Sequence, residues 1–368
     1  MQRSVLLPTL FLFACCPALP AVADNVLSSP GLRVDVFGGW AWGETTDGEY
    51  LDASSAGEFD KGSLGIAMRH DFSSRLRAVG QVEVSETPEE TEADLDFIFL
   101  EWRFRDDSTL RLGRSKQPFG IYSEFFDLGT DRPFYDLPQG IYGSTEIVAE
   151  SLDGLAYFAR RDVGRGELRL DAYIGTVRFA SAEPWEFLHD GGGNPDLEIE
   201  EEDVKRERTL GFRIEWQAHS GFIVGVSGFR GRDRHGDLSD RTTAIGFGTH
   251  FAWDTGAWLL RAELAHLEEK ENLDISAGYL EVARHFGHHW QAAVRLDRSL
   301  TTVEELDLEA AGHEELGKHR DLALGLNYWV HPKLVLKLSR HWVEGGRFLG
   351  DIGEESTELW RFGVQFVY

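Results

Sequence analysis

The chain has only two cysteines in 368 residues, Cys15 and Cys16, and both fall within its opening stretch. That stretch, MQRSVLLPTLFLFACCPALPAVA, carries Arg3, an apolar run and Ala21-Val22-Ala23 ahead of Asp24. This is the layout of a secretory signal peptide with a small-residue cleavage site, so residues 1–23 are expected to be removed. The mature chain, 24–368, would then hold no disulfide, no thiolate nucleophile and no cysteine-bound metal. Bases are scarce too: 37 Lys and Arg stand against 63 Asp and Glu, a net charge of −26. A nucleic-acid partner, which calls for a basic patch, is excluded on that ground. Beyond the signal no run approaches the roughly 20 apolar residues of a membrane helix. Mean hydropathy is slightly negative. A membrane β-barrel shares that low average, because it alternates apolar and polar residues.

Alternation is what the sequence has in abundance. Residues 31–43 set Leu32, Val34, Val36, Trp40 and Trp42 on one face and Arg33 and Asp35 on the other. Residues 206–218 set Leu210, Phe212, Ile214 and Trp216 against Arg213, Glu215 and Gln217. Sixteen such segments occur, at 31–43, 62–72, 74–86, 95–105, 108–116, 150–161, 166–179, 206–218, 220–231, 241–254, 256–268, 274–286, 289–300, 319–331, 333–344 and 356–368. Period-2 patterning predicts strands with one lipid-facing side. Each segment has about the length a tilted strand needs to cross a membrane. The expected fold is all-β: a 16-stranded antiparallel transmembrane β-barrel forming a single domain over 24–368. The last strand, LWRFGVQFVY, would close against the first and remove the free edge. Its terminal aromatic resembles the signal by which the barrel assembly machinery recognises its clients.

The connections fix the orientation. Short turns follow the even-numbered segments, and most long or polar loops follow the odd ones. Outer-membrane barrels have short periplasmic turns and longer outer loops, so the cell outer membrane is the expected location. Charge agrees: the stretches 44–61, 87–96, 180–205, 301–318 and 345–358 together hold 30 acidic and 4 basic residues. No substantial segment precedes the first strand, which leaves no room for a plug domain. Lipid and lipopolysaccharide are the expected surroundings, and divalent cations would be drawn to acidic loops and lipid phosphates alike.

One connection differs. Residues 117–149, QPFGIYSEFFDLGTDRPFYDLPQGIYGSTEIVA, hold Phe119, Tyr122, Phe125, Phe126, Phe134, Tyr135 and Tyr142. So many aromatics do not belong on an exposed loop. A sixteen-strand lumen is wide enough for water, so this loop is expected to fold inward and narrow the pore. Arg114, Lys116, Glu124, Asp127, Asp131 and Arg132 would then line the constriction, because pore selectivity comes from diameter and rings of charge. The lumen wall would carry Arg75, Arg77, Arg103, Arg105, Arg111, Arg213, Arg261 and Arg295, opposed by inward acids.

GRSKQPFG at 113–120 followed by DRPFYDLPQGIY at 131–142 resembles the third-loop region of Gram-negative porins, in particular the phosphate-selective porin O/P-like family. The resemblance implies a water-filled diffusion channel for small hydrophilic, phosphate-like solutes, a homotrimer, a third-loop constriction and no catalysis or cofactor.

Other motifs are weaker. HEELGKH at 313–319 lacks the zincin spacing, and no nucleophile elbow or P-loop occurs. Asn194, Asp196 and Glu198 in DGGGNPDLEIEEED alternate like the first half of a calcium loop, without the central Gly and closing Glu. Two rival readings remain at this level: a barrel hydrolase whose Ser/His or Asp/His set converges from separate segments, and a surface adhesin.

Overall fold

In the computed structural model, sixteen antiparallel strands among the described residues close into one barrel, each paired with its sequence neighbours and the first with the last. The structure describes residues 31–368 except 88–90, 125, 144–146, 183–200, 236–241, 271–272, 304–313 and 350–354. The signal peptide and the candidate calcium residues Asn194, Asp196 and Glu198 lie outside the described residues.

The strands are β1 (Leu32–Thr45), β2 (Glu58–Asp71), β3 (Leu76–Glu86), β4 (Thr91–Arg105), β5 (Ser108–Lys116), β6 (Ser151–Val163), β7 (Gly166–Ala182) and β8 (Glu201–Ala218). They continue as β9 (Phe222–His235), β10 (Thr242–Asp254), β11 (Trp258–Glu269), β12 (Leu273–Phe286), β13 (Trp290–Val303), β14 (Lys318–His331), β15 (Leu334–Glu344) and β16 (Ser356–Val367). All sixteen expected segments are strands. Among the described residues no helix is long and apolar enough to cross a membrane.

Period-2 patterning decides which way each strand turns. Leu112, Leu210 and Leu264 are 62%, 62% and 68% exposed on the outside, whereas Arg111, Arg213 and Glu263, an odd number of residues away from them, point inward. A continuous outer skin of Leu, Val, Phe and Trp requires hydrocarbon rather than water around it. In hydrocarbon every backbone N–H and C=O must find a partner within the sheet, and only closure achieves that. The seam is β1 on β16, with the Val36 N–H donating to Tyr368 O at 2.8 Å and the Tyr368 N–H to Val36 O at 2.6 Å. Short turns follow the even strands; at the β12–β13 turn Gly287 sits at φ 65°, a region costly for other residues. Trp216, Trp258, Trp290 and Tyr328 gather at this end as an aromatic girdle, Trp290 and Tyr328 with ring centroids 4.7 Å apart.

The wall buries some of its charges as ion pairs. Arg206 and Asp233, both wholly inaccessible, form a fork at 2.7 and 2.6 Å, with the guanidinium 4.6 Å from the Phe229 ring centre. Truncating one partner strands the other. Arg206→Ala is therefore expected to cost about 3–5 kcal/mol. The paired change Arg206→Met/Asp233→Leu should recover most of that. Thermal unfolding in detergent checks both, and an unchanged midpoint for Arg206→Ala would reject the account.

Candidate functional site: a loop across the lumen

The described residues of 117–149 leave the end of β5 and run inside the barrel. Gln117 ties the two ends of the segment together: its amide donates to the Tyr173 hydroxyl at 3.0 Å, and its carbonyl accepts the Ala149 N–H at 2.8 Å. Gly120 follows at φ +61°, where an added Cβ would stand 2.1 Å from Glu263 Oε2. Only glycine lets the chain turn there, against the β11 wall.

The loop's aromatics then pack as its composition demanded. Phe119, Tyr122, Phe134, Tyr135 and Tyr142 are all buried. Tyr122 and Tyr142 meet edge to face at 5.6 Å. Their hydroxyls are satisfied by wall acids, Tyr122 donating to Glu281 Oε1 at 2.6 Å and Tyr142 to Glu263 Oε1 at 2.7 Å. Arg261 in turn donates to the Tyr122 hydroxyl at 2.8 Å. Burial and these carboxylates hold both phenols above their ordinary range, so they stay neutral donors.

The descending half is pinned through its backbone. Lys337 Nζ donates to the carbonyls of Gly129, Arg132 and Phe134 at 2.6, 2.6 and 3.0 Å. Asn327 donates to Pro133 O at 2.7 Å, and Arg295 to Asp136 O at 2.8 Å. The buried Asp136 carboxylate lies 3.2 Å from Arg361 Nε and 3.4 Å from Lys61 Nζ. Gly140 N–H donates to Asp297 at 3.1 Å, where the helix α1 (Gln139–Tyr142) crosses β13. Strands β2, β7, β11, β12, β13, β14, β15 and β16 thus all hold the loop.

The apex residues reach the opposite wall. Lys116 Nζ lies 3.1 Å from Asp127, 2.7 Å from Asp96 and 2.9 Å from Glu150. Three carboxylates converge there, and the lysine occupies the centre that a metal ion would need. Burial would raise Asp127, but Lys116 outweighs it and holds the carboxyl below its usual range; Glu150 goes the other way, raised by burial and by Asp127. Glu124 sits 3.0 Å from Arg213, itself 2.6 Å from Asp171. Burial is again outweighed, here by Arg213 and Arg111, so Glu124 stays ionised.

Of the expected constriction residues, Lys116, Glu124 and Asp127 come together with the wall. Asp131 is exposed, and Arg132 is half-buried with its carbonyl on Lys337. Arg114 is corrected. It pairs in register with Ile98, 54% exposed on the outer face, and its guanidinium binds Asp153 at 2.9 Å, outside the lumen. Parity is the reason: Arg114 shares the side of Leu112. The wall arginines divide into groups. Arg213, Arg261 and Arg295 hold the loop. Arg77 and Arg111 share Glu101, and Arg111 lies between the Phe99 and Phe158 rings at 4.9 and 4.2 Å. Arg75 and Arg103 are exposed around a concavity of about 290 Å³ near the β2–β3 turn, and Arg105 is exposed beside Phe104.

Asp96 and Asp136 were missed by sequence reasoning. Asp96 faces inward because the β3–β4 register slips between Gln81 and Val82. The slip is visible as a phase change, the outward apolar position moving from Leu95 to Ile98. For Asp136 nothing local gives a signal.

One wall cluster mimics catalytic geometry. Ser339 Oγ lies 3.0 Å from His341 Nε2, and His341 Nδ1 lies 2.8 Å from Asp321. All three are buried, and Phe134 of the loop packs edge-on against the imidazole at 6.1 Å. Ser339 is mid-strand, its register continuous with Gly325 and Arg361, so the neighbouring amides belong to the ladder and are not aimed at an oxyanion.

No family model matches the chain, and no curated protein matches it in sequence. Solved structures do match in fold. OmpT, an outer membrane protein of Vibrio cholerae in its trimer form, aligns with TM-score 0.58 at 12% identity over 92% of this chain and all of its own. The outer membrane channel DcaP of Acinetobacter baumannii gives 0.58 at 10% identity over 93% and 99%. Salmonella typhi OmpF, solved in complex with daunomycin, gives 0.57 at 12% over 92% and 97%. The chain has the architecture of an outer-membrane β-barrel.

Proposed function

We propose that the protein is an outer-membrane porin, a passive channel for small hydrophilic solutes, with residues 117–149 as its constriction. The observation that carries this reading is the fixing of an aromatic, Gly- and Pro-containing loop inside the barrel by charged, amide and hydroxyl side chains from eight strands. A loop held there sets the bore of a sixteen-strand lumen. Solutes pass between its apex, where Glu124 is 40% accessible, and the wall bearing Arg77 and Arg111. The lower wall favours anions, phosphate-like ones included. The trimer form of the Vibrio cholerae neighbour supports a homotrimer here. The hydrolase reading is weaker, because Ser339 has neither an approach for substrate nor donors for an oxyanion.

Purified protein in planar bilayers is expected to give stepwise, long-lived conductance, and to resist labelling by a fluorophosphonate at Ser339. Absence of open-channel current rejects the channel. Stoichiometric labelling of Ser339, abolished by Asp321→Asn, restores the hydrolase.

A further inference from the structure

The outer face of the barrel carries a charge pattern that a channel has no use for. Arg230 pairs in register with Leu210 and Ile245, which are 62% and 46% exposed, so its side chain leaves the barrel on the lipid side. Arg232 and Arg234 follow on the same face, about 7 Å apart along the strand. Arg234 pairs in register with Lys205, and Lys205 with Arg178. All five lie toward the end away from the short turns, the outer-leaflet end. Two acids border this row, Glu207 at 3.9 Å from Arg234 and Asp153 at 3.5 Å from Arg178. Arg230 and Arg232 are exposed and make no ion pair with another described residue. Farther round, the same outward level carries His266, Glu268 and Asp274. Outward-facing arginines also occur on the β13–β14 flank, where Arg298 pairs in register with Arg320 and Arg320 lies 3.6 Å from Glu344. The β7–β9 flank gathers five bases on three adjacent strands of a chain whose net charge is −26.

A guanidinium facing hydrocarbon is costly at the bilayer midplane and nearly free of cost near the interface. Unpaired arginines just beyond an apolar band therefore belong at headgroup depth. Their planar donor forks match phosphate oxygens, and the match needs no bridging metal. We propose that Arg178, Lys205, Arg230, Arg232 and Arg234 form a direct docking surface for the phosphates of an outer-leaflet glycolipid. It would fix one lipid against the β7–β9 flank without a divalent cation.

The test uses full-length mature protein in detergent with a bis-phosphorylated lipid A, read by native mass spectrometry in the presence of EDTA. Wild type should retain the lipid, and the enzymatically dephosphorylated lipid should not be retained. Arg230→Gln/Arg232→Gln should lower retention about tenfold, while Arg298→Gln on the far flank leaves it unchanged. Bilayer conductance of the double variant should equal wild type, which separates this outcome from failure of the channel reading. Wild-type retention should also fall as salt rises from 50 to 500 mM, a measurement that needs no variant. Equal retention by wild type and double variant, equal retention of dephosphorylated lipid, full release by EDTA, or insensitivity to salt would each overturn the proposal. So would displacement of the lipid by equimolar inorganic phosphate.

Discussion

Asp136→Ala is expected to turn a quiet channel into a wider and noisier one, with single-channel conductance rising about twofold or more as the constriction loosens. Asp136 is buried between Arg361 and Lys61 and lies in the stretch whose carbonyls bind Lys337 and Arg295. Removing it takes the carboxylate from the buried Arg361 guanidinium and leaves the half-buried Lys61 to Asp52 alone, a loss of about 3–5 kcal/mol for the broken buried pair. That energy is local to the loop, because the sixteen-strand ladder is untouched. Thermal unfolding of the barrel should therefore shift less than the conductance does. The same group predicts an acid effect. Burial pushes Asp136 up, but Arg361 and Lys61 outweigh it and hold the carboxyl below its ordinary range. A depressed carboxylate stabilises the fold fully above its unfolded pKa of about 3.9, and the contribution is lost as pH falls through the lower, folded value. Conductance noise should accordingly be flat from neutral pH down to about 5 and grow below about 4. Wild-type conductance and noise in Asp136→Ala would show that residues 117–149 do not limit the bore.

The second large effect concerns ions. The connections at the outer mouth are strongly acidic, whereas the inner wall near the short turns exposes Arg75 and Arg103. A pore acidic at one end and basic at the other passes current more easily at one polarity. In dilute symmetrical salt, opposite polarities should differ by a factor on the order of two. At 1 M salt the difference should vanish, because screening shortens to about 3 Å. Arg75→Glu/Arg103→Glu makes both ends acidic. It should abolish the asymmetry and move the zero-current potential under a salt gradient toward cations by about 10 mV or more. Neither residue bears on the loop, so the conductance level should hold. A double variant that still rectifies like wild type would place the field elsewhere.

How much of this could be read from residues alone depends on the range of the interaction. Strand identity and facing are local. Leu210, Phe212 and Ile214 declare an outer face, and Arg213 between them an inner one, because pleated backbone alternates whatever surrounds it. Barrel closure was legible for a related reason, since lipid tolerates no unpaired edge. The aromatic load of residues 117–149 likewise announced that the segment must be buried, and five of its rings are.

Which wall group meets which loop atom was not legible, because those contacts join residues far apart in the chain. Lys337 and Gly129 are 208 positions apart, and no pattern of spacing records their 2.6 Å contact. Arg114 shows the limit from the other side: it borders the loop in sequence, yet parity sends it to lipid beside Ile98. Asp96 stands between the two cases, since a bulge rotates it inward and leaves only a phase change as its trace. The sequence by itself determined the sheet, its two faces, its closure and the existence of a buried loop, because each follows from alternation or from the solvent. Only the tertiary structure decided which charges are consumed as ion pairs, as Lys116 is by Asp96, Asp127 and Glu150, and which, like Arg75 and Arg103, remain open to what passes. Pairing is a matter of a few ångströms across the lumen, and distance across a barrel is not written along its chain.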